Sequence, residues 1–269
     1  MDPRPVGMFD SGVGGLSVFR EFRRLAPRER TVYFADTAYF PYGPRDPGEV
    51  RKRAFAIAHR LVEADAKLIV VACNTASAAA VADLRQLFDL PFVGMVPAVK
   101  PATRASRSGR VAILATPGTF DGDLYASVVD EFGTGAAIDR VVGHDLAELV
   151  ERGEVDTPAA RRAVRAALAG SVANGADIVV LGCTHYEFLA PAITAEFPGV
   201  SVLGTGEPVA RRACDLLREL DLEAPPDATG ALDLIVSGNR EAFLETLPRL
   251  GLDPRPKEDS AEVTGNAKE

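Results

Sequence analysis

Short apolar runs alternate with amphipathic stretches along almost the whole chain. The apolar runs are rich in Val, Ile and Leu and have the length of buried strands, whereas the stretches between them place apolar residues at helical spacing. The predicted strands are 5–9, 31–35, 67–72, 92–96, 110–115, 136–142, 177–181, 200–203 and 232–236. Strands that alternate with helices are typical of parallel sheets covered on both faces. We therefore predict an α/β fold.

One pattern of features occurs twice. The strand 67–72 runs into Cys73, and the strand 177–181 runs through a glycine into Cys183. We interpret this repeat as two similar doubly wound parallel-sheet domains related by a pseudo-twofold axis. The predicted limits are 1–96 plus 208–252 for the first domain, 97–207 for the second, and 253–269 for a disordered polar tail. A ligand would then lie between the domains, beyond the carboxyl ends of the strands.

The composition argues against several classes of protein. A net charge of −8 has the wrong sign for a nucleic-acid surface, and no apolar run is long enough to cross a bilayer. The three cysteines and three histidines show no C-x-x-C or H-E-x-x-H spacing, so we expect neither a metal site nor a disulfide framework. The first apolar strand begins almost at the start of the chain, which leaves no room for a signal peptide. We expect a cytoplasmic protein that binds neither nucleic acid nor a membrane.

Two of the cysteines are the strongest candidates for chemistry. A free cysteine is more often a small buried hydrophobic residue than a reactive one, and Cys214, in the middle of an apolar helix pattern, is interpreted in that way. Cys73 and Cys183 each follow a strand and precede a predicted helix, where the helix dipole favours a thiolate. Two thiols that face one ligand from opposite sides are the arrangement that a two-base proton transfer requires.

Polar side chains follow the same strand ends. Asp10 and Ser11 open a glycine-rich turn that lacks the G-x-G-x-x-G and G-K-[ST] signatures, so a nucleotide site is not predicted. Asp10 can cap the next helix or share a proton with Cys73, and His185 can assist Cys183 or simply pack. Other short hydroxyl and amide side chains at strand-to-helix turns can cap helices or surround a small anionic ligand. They are Asn74, Thr75, Thr116, Thr119 and Thr184.

Seven short segments of the chain, taken in order, match segments of one known protein family. They are FDSGVGGL at 9–16, ADT at 35–37, PYG at 41–43, ACNTA at 72–76, VGMVP at 93–97, ATPGT at 115–119 and LGCTHY at 181–186. In combination they resemble the glutamate racemases, which belong to the cofactor-independent aspartate/glutamate racemase superfamily. The resemblance runs from residue 6 to about residue 209.

The resemblance implies an isomerase that interconverts L- and D-glutamate without pyridoxal phosphate or another cofactor and supplies D-glutamate for bacterial peptidoglycan. It implies that Cys73 and Cys183 exchange the α-proton, and that Glu151 lies near the second cysteine. Just before Glu151 the family usually has a Cys-Pro pair, whereas this chain has Gly143-His144. The substrate contacts that it implies are Asp10, Ser11, Tyr42, Gly43, Asn74, Thr75, Thr184 and His185. We also expect a homodimer.

Three other functions stay open. A related racemase that acts on aspartate or a hydantoin would use the same cysteines with different side-chain contacts, although the segments at 41–43 and 183–185 favour glutamate. A two-domain binding protein would leave both cysteines inert. A thiol hydrolase would need only Cys183 with His185 as its base, and it would leave Cys73 without a role.

Overall fold

A computed structural model of the chain describes residues 1–133 and 135–252. The tail predicted to be disordered, 253–269, lies outside the described residues. The strands are β1 (Val6–Asp10), β2 (Thr31–Ala35), β3 (Leu68–Val71), β4 (Phe92–Val93), β5 (Arg110–Ala115), β6 (Ala137–Val142), β7 (Ile178–Gly182), β8 (Ser201–Leu203) and β9 (Leu232–Val236).

The α-helices lie between these strands and after the last of them. They are α1 (Leu16–Leu25), α2 (Pro47–Glu63), α3 (Asn74–Leu87), α4 (Val99–Ala105), α5 (Pro117–Phe120), α6 (Asp123–Phe132), α7 (Leu146–Glu151), α8 (Pro158–Ala173), α9 (Ala190–Glu196), α10 (Gly206–Glu219) and α11 (Arg240–Thr246). Short 3-10 helices cover Thr37–Tyr39, Thr184–Leu189 and Leu247–Leu250. Among the described residues, no helix is long and apolar enough to span a membrane.

The strands form two parallel sheets with the same internal order. The first sheet runs β4-β3-β1-β2-β9 and the second runs β6-β5-β7-β8, and all their pairings are parallel. The order β2-β1-β3-β4 of the first sheet is thus repeated as β6-β5-β7-β8 in the second. The predicted α/β fold with two parallel sheets is confirmed. The strands that lead to Cys73 and Cys183, β3 and β7, occupy equivalent places in the two sheets.

Continuous apolar runs explain why these strands are central. Every residue of β1, β3 and β7 is buried, as expected for parallel strands that are covered on both faces. Ligands of such sheets bind at the carboxyl edge, where the chain leaves one strand in one direction and the next strand in the other. In the first sheet this position lies between β1 and β3, and in the second it lies between β5 and β7.

The chain returns to the first sheet through α10, which follows the second sheet and packs against α1. The carboxylate of Glu187 caps the start of α10, because its Oε1 accepts hydrogen bonds from the backbone N–H groups of Thr205 (2.6 Å) and Gly206 (3.1 Å). The strands of the first sheet lie within 1–96 and 208–252, and those of the second lie within 97–207. The domain limits themselves stay a prediction.

Candidate active site

The carboxyl ends of the two sheets meet at one buried site. On one side, the hydroxyl of Thr184, which follows β7, donates to Oδ2 of Asp10 at the end of β1 (3.2 Å). On the other side, the hydroxyl of Thr75, which follows β3, lies 2.9 Å from that of Thr116 at the end of β5. The four strand ends that frame the two switch points are therefore joined directly.

Cys73 is the residue that precedes α3, and it is only 5% exposed. Burial raises the pKa of the Cys73 thiol well above its usual value, and the charge of the neighbouring Asp10 raises it further. The helix N-terminus acts in the expected direction, because a hydrogen bond from the backbone of Ala76 lowers this pKa, but it does not offset the two larger effects. In this environment Cys73 is held as a thiol.

Asp10 is completely buried, and its side chain holds the turn before α1 without capping that helix, whose N-cap is Gly15. Its Oδ2 accepts a hydrogen bond from the backbone N–H of Gly15 (2.6 Å), which closes the glycine-rich turn before α1. Its carboxyl also interacts with the thiol of Cys73, and the hydroxyl of Ser11 lies 3.5 Å from its Oδ1. Burial raises the pKa of Asp10, although the positive charge of His185 opposes the shift.

Cys183, His185 and Glu151 form a connected group on the opposite side. Nδ1 of His185 lies 3.9 Å from the sulfur of Cys183, and Nε2 lies 2.6 Å from Oε1 of Glu151. Burial disfavours the charged ring, but hydrogen bonds to Cys183 and Glu151 and the charge of Asp10 outweigh it and raise the pKa of His185 well above its usual value. The site therefore holds an imidazolium ion beside the second thiol.

The glycine-rich turn is shaped to fit this group. The same Oε1 of Glu151 accepts a hydrogen bond from the backbone N–H of Val13 (2.8 Å). A Cβ atom on Gly12 would overlap the Glu151 carboxylate, and one on Gly14 would overlap the ring of His185. Glycine is required at both positions by the close approach of these side chains rather than by a nucleotide phosphate.

A second set of polar groups lies between β3 and β5. The hydroxyl of Thr116 lies 2.9 Å from that of Thr75 and 3.0 Å from that of Thr119, and all three residues are at helix N-termini. Beside Thr75, Asn74 is 2% exposed, and neither its Oδ1 nor its Nδ2 has a hydrogen-bond partner among the described residues. A buried amide without partners costs free energy unless a ligand or water satisfies it. The amide of Asn74 is therefore available to a polar ligand or to a water molecule at this place.

Tyr42 and Gly43 reach this region in different ways. The carbonyl of Gly43 accepts a hydrogen bond from the backbone N–H of Gly118 (2.9 Å), which places this loop of the first sheet against the second. The hydroxyl of Tyr42 instead donates to the carboxylate of Asp36, which also binds Arg53. Asp36 belongs to the segment 35–37 that carries part of the resemblance, but neither it nor Arg53 was predicted as a site residue. The available signal was that Asp36 directly follows β2, whereas Asp10 is the last residue of β1.

The departure at Gly143-His144 has a local explanation. The hydroxyl of Tyr186 donates to the carbonyl oxygen of Gly143 (2.9 Å), and a Cβ atom on Gly143 would lie 2.7 Å from Cζ of the Tyr186 ring. His144 is exposed. With Gly143-His144 at this place, Glu151 is still in contact with His185.

Two further observations concern metal binding and the third cysteine. Among residues 1–133 and 135–252, no group of three or more His, Cys, Asp or Glu side chains is arranged to bind a metal ion. Cys214 lies apart from the site, half-buried on α10 beside a cavity of about 290 Å³. Burial raises the pKa of Cys214 to about 11, in keeping with an unreactive packing residue.

Comparison with known proteins agrees with this geometry. Residues 9–213 match the family model described as Asp/Glu/hydantoin racemase. The chain is 43% identical over 267 residues to the glutamate racemase of Roseiflexus sp. (98% of each chain). It is 42% identical over 270 residues to that of Deinococcus radiodurans (97% of this chain, 93% of the relative).

Solved structures agree as well. The glutamate racemase of Thermus thermophilus in complex with beta-chloro-D-alanine superposes with a TM-score of 0.82 at 38% identity, over 93% of this chain and 94% of that one. The Escherichia coli glutamate racemase in complex with L-glutamate and the activator UDP-MurNAc-Ala gives a TM-score of 0.81 at 35% identity, over 93% and 96%. This chain is therefore an enzyme of the Asp/Glu/hydantoin racemase family and belongs among its glutamate racemases.

Proposed function

We propose that this enzyme interconverts L- and D-glutamate without a cofactor, by proton transfer at the α-carbon between Cys73 and Cys183. One observation carries the proposal: two buried thiols follow equivalent strands of two sheets, and both Cys183 and Asp10 lie close enough to act on the charge of Cys73. The amide of Asn74 beside Cys73 has no partner among the described residues. The E. coli relative in complex with L-glutamate supports the choice of substrate. A racemase for aspartate or hydantoins is the alternative within the same family.

The two cysteines have different surroundings that suit opposite roles. Cys73 is a thiol, because burial and Asp10 raise its pKa. Cys183 lies on the other side of the site, where its sulfur is 3.9 Å from Nδ1 of His185. In the proposed mechanism, the form of the enzyme with a Cys183 thiolate and a Cys73 thiol reacts with L-glutamate. The Cys183 thiolate removes the α-proton, and the Cys73 thiol protonates the opposite face of the carbanion. The product leaves a Cys183 thiol and a Cys73 thiolate, which is the form that reacts with D-glutamate.

The remaining groups stabilise the substrate and the carbanion. An amino-acid α-proton is a very weak acid, so without a cofactor the site must stabilise negative charge by fixed dipoles in a place that excludes water. The hydroxyls of Thr75, Thr116 and Thr119 lie at the N-termini of α3 and α5, where backbone dipoles favour carboxylate groups. The amide of Asn74 supplies one donor and one acceptor that no described residue uses.

Three wider parts of the proposal follow from the resemblance of the sequence. We propose that the enzyme supplies D-glutamate for peptidoglycan, acts in the cytoplasm and forms a homodimer. Complementation of a D-glutamate auxotroph tests the first part, cell fractionation tests the second, and light scattering of the purified protein tests the third. A monomer at micromolar concentration would contradict the third part alone.

The central experiment is racemisation of L-glutamate by the purified protein with no added cofactor, followed by chiral chromatography. In D₂O the product should carry deuterium at the α-carbon. Cys73→Ala and Cys183→Ala should each lose at least a thousandfold in kcat/KM, because each removes one of two obligatory proton carriers. The matched control, Cys214→Ala, should stay within about twofold. Substantial activity in either of the first two variants would refute the two-base mechanism, and faster racemisation of aspartate would favour the alternative.

A further inference from the structure

A second buried carboxylate near the site has no part in the proton transfer. Asp36 is completely buried at the end of β2, and its two oxygens receive a forked pair of hydrogen bonds from Arg53 of α2, at 2.7 and 3.0 Å. The hydroxyl of Tyr42 donates to the same carboxylate. The side-chain hydrogen bonds of this group join the residue after β2 to α2 and to the loop 40–43, so the group ties the loop to the rigid part of the first sheet. The backbone N–H of Asp36 donates separately to the carbonyl oxygen of Asp10 (2.9 Å).

The loop that this group holds contacts both sides of the site. The ring of Phe40 packs against that of His185, with 5.4 Å between the ring centroids. Tyr42 is 1% exposed and belongs to the same buried cluster as Cys73. At Gly43 the loop accepts the hydrogen bond from Gly118 of the second sheet. The loop thus spans the site from the Cys183 side to the hydroxyl cluster.

The fit of the loop against the second sheet leaves little tolerance for movement. A Cβ atom on Gly43 would lie 2.8 Å from Cβ of Thr116, and one on Gly118 would lie 3.0 Å from the carbonyl oxygen of Gly43. The backbones therefore approach as closely as glycine permits. A small shift of the loop would separate Gly43 from the threonine hydroxyls and change the space left for a ligand.

The charges of the group explain how the loop is fixed in one place. A buried carboxylate is stable only when it is paired and its oxygens are hydrogen-bonded, and a forked arginine meets this demand with a defined geometry. Arg53 is itself held, because its guanidinium lies 3.8 Å from the centroid of the Tyr39 ring. A lysine at the same position would supply the charge but only a single point of contact.

We propose that Asp36 and Arg53 are positioning residues that set the affinity for glutamate by holding the loop 40–43 against the hydroxyl cluster of Thr75, Thr116 and Thr119. Neither residue touches the reacting atoms. They act through Tyr42 and Gly43, whose place determines the fit of the substrate. This inference rests on the proposed function, since it concerns the substrate of the same site.

The test compares Arg53→Met with Arg53→Lys, and Arg51→Met serves as the matched control. Arg51 lies on the same helix, is half-exposed and pairs with Asp83 at 2.9 Å, away from the loop. The measurements are KM and kcat for both enantiomers of glutamate, the pH profile of kcat/KM, and the melting temperature. Binding of L-glutamate to each variant in a Cys73→Ala background, by calorimetry, gives the affinity without turnover.

Arg53→Met should raise KM and the dissociation constant by about tenfold or more, because the misplaced loop weakens binding. The fall in kcat should be smaller than the rise in KM. The acidic and alkaline limbs of the pH profile of kcat/KM should stay at the same pH. Arg53→Lys should recover part of the lost affinity. Arg51→Met should stay within about twofold of the parent. Unchanged KM and affinity in Arg53→Met would overturn the inference, even with a lowered melting temperature, because that result describes a purely structural role.

Failure of the proposed function gives a different result. If the unmodified enzyme does not racemise glutamate, the proposed function falls, and this inference falls with it. If the unmodified enzyme is active and Arg53→Met has the parent's KM, only this inference falls. If Arg53→Met does not fold, Arg53→Lys decides: a raised KM supports the positioning role and the parent's KM overturns it.

Discussion

The contact between Glu151 and His185 leads to a prediction that can be worked out from the structure. Glu151→Gln keeps the size of the side chain and leaves an oxygen that can still accept the hydrogen bond from Val13. It removes the negative charge that lies 2.6 Å from Nε2 of His185. His185 is 2% exposed, so solvent does not replace the lost partner.

The size of the effect follows from the kind of hydrogen bond that is lost. Hydrogen bonds to charged groups contribute about 1.5–3 kcal/mol. Since about 1.4 kcal/mol corresponds to a factor of ten, kcat/KM should fall by about 10- to 100-fold in both directions. The ratio of the two kcat/KM values cannot change, because the equilibrium constant of a racemisation is fixed by symmetry.

The pH dependence gives an independent signature. Burial disfavours a charged His185, while Cys183, Glu151 and Asp10 together raise its pKa well above the usual value. The imidazolium is therefore present at neutral pH and is lost as the pH rises through the raised pKa. Without the Glu151 charge that pKa falls, so the alkaline limb of kcat/KM should move to lower pH.

The free energy of unfolding should also depend on pH through the raised pKa of His185. A group whose pKa is raised by folding contributes stability that is fully present below its unfolded pKa, about 6.5 for histidine, and is lost as the pH rises through the folded value. Glu151→Gln should therefore lower the free energy of unfolding most at pH 6 and least at high pH.

The assay is chiral chromatography of initial rates between pH 6 and 10, with urea unfolding at the two ends of this range. Glu154→Gln is the matched control, because the side chain of Glu154 is 40% exposed and pairs with Arg152 at 3.0 Å. The control should lie within about twofold of the parent. An alkaline limb that does not move in Glu151→Gln would refute the argument, whatever the loss of activity.

Two further predictions concern close packing and a buried charge. Gly12→Ala should lower kcat/KM by at least about tenfold, because the added methyl group overlaps the Glu151 carboxylate and displaces it from its hydrogen bonds; the racemisation assay measures this loss. Lys67→Met should lower the free energy of unfolding by about 3–5 kcal/mol, because Lys67 pairs with the buried carboxylate of Glu29 at 2.7 Å. Urea titration measures that change, and kcat per folded molecule should stay near the parent's value because the pair lies outside the site.

Controls for these two variants exist in the chain itself. Gly170→Ala adds a methyl group where no atom lies within 4 Å, and it should leave activity unchanged. The double variant Lys67→Met/Glu29→Gln should recover part of the lost stability, because no unpaired charge then remains buried. A Gly12→Ala enzyme with full activity would mean that the turn can shift without cost. A double variant no more stable than Lys67→Met would mean that the unpaired charge is not the cause.

The strands were predictable, and some of the helices were not. Each predicted strand is found, because buried parallel strands are continuous apolar runs that can be recognised locally. The helix α7, Leu146–Glu151, was not predicted. It is only six residues long, and it begins after Asp145, which has a left-handed backbone (φ 56°) and makes no capping hydrogen bond with its side chain. Such a helix is defined by what packs around it rather than by its own sequence.

The candidate site was predictable in its residues but not in its electrostatics. The strand-end pattern identified Cys73 and Cys183, and the structure brings both to the site with Asp10 and His185. The helix N-terminus lowers the pKa of the Cys73 thiol as expected, but burial and a neighbouring carboxylate raise it by more. These contributions depend on groups that are distant in the sequence.

The fold class, the repeat of a strand that runs into a cysteine, and the kinds of functional group at the strand ends could be predicted from the sequence. These are local properties, since apolar periodicity and the residue after a strand can be recognised within a few positions. The tertiary structure was needed to show that Glu151 holds His185, that Asp36 and Arg53 tie down a loop, and that Asn74 has no hydrogen-bond partner among the described residues. The physical reason is that burial and pairing depend on distances across two sheets, and those distances set which charges the site can keep.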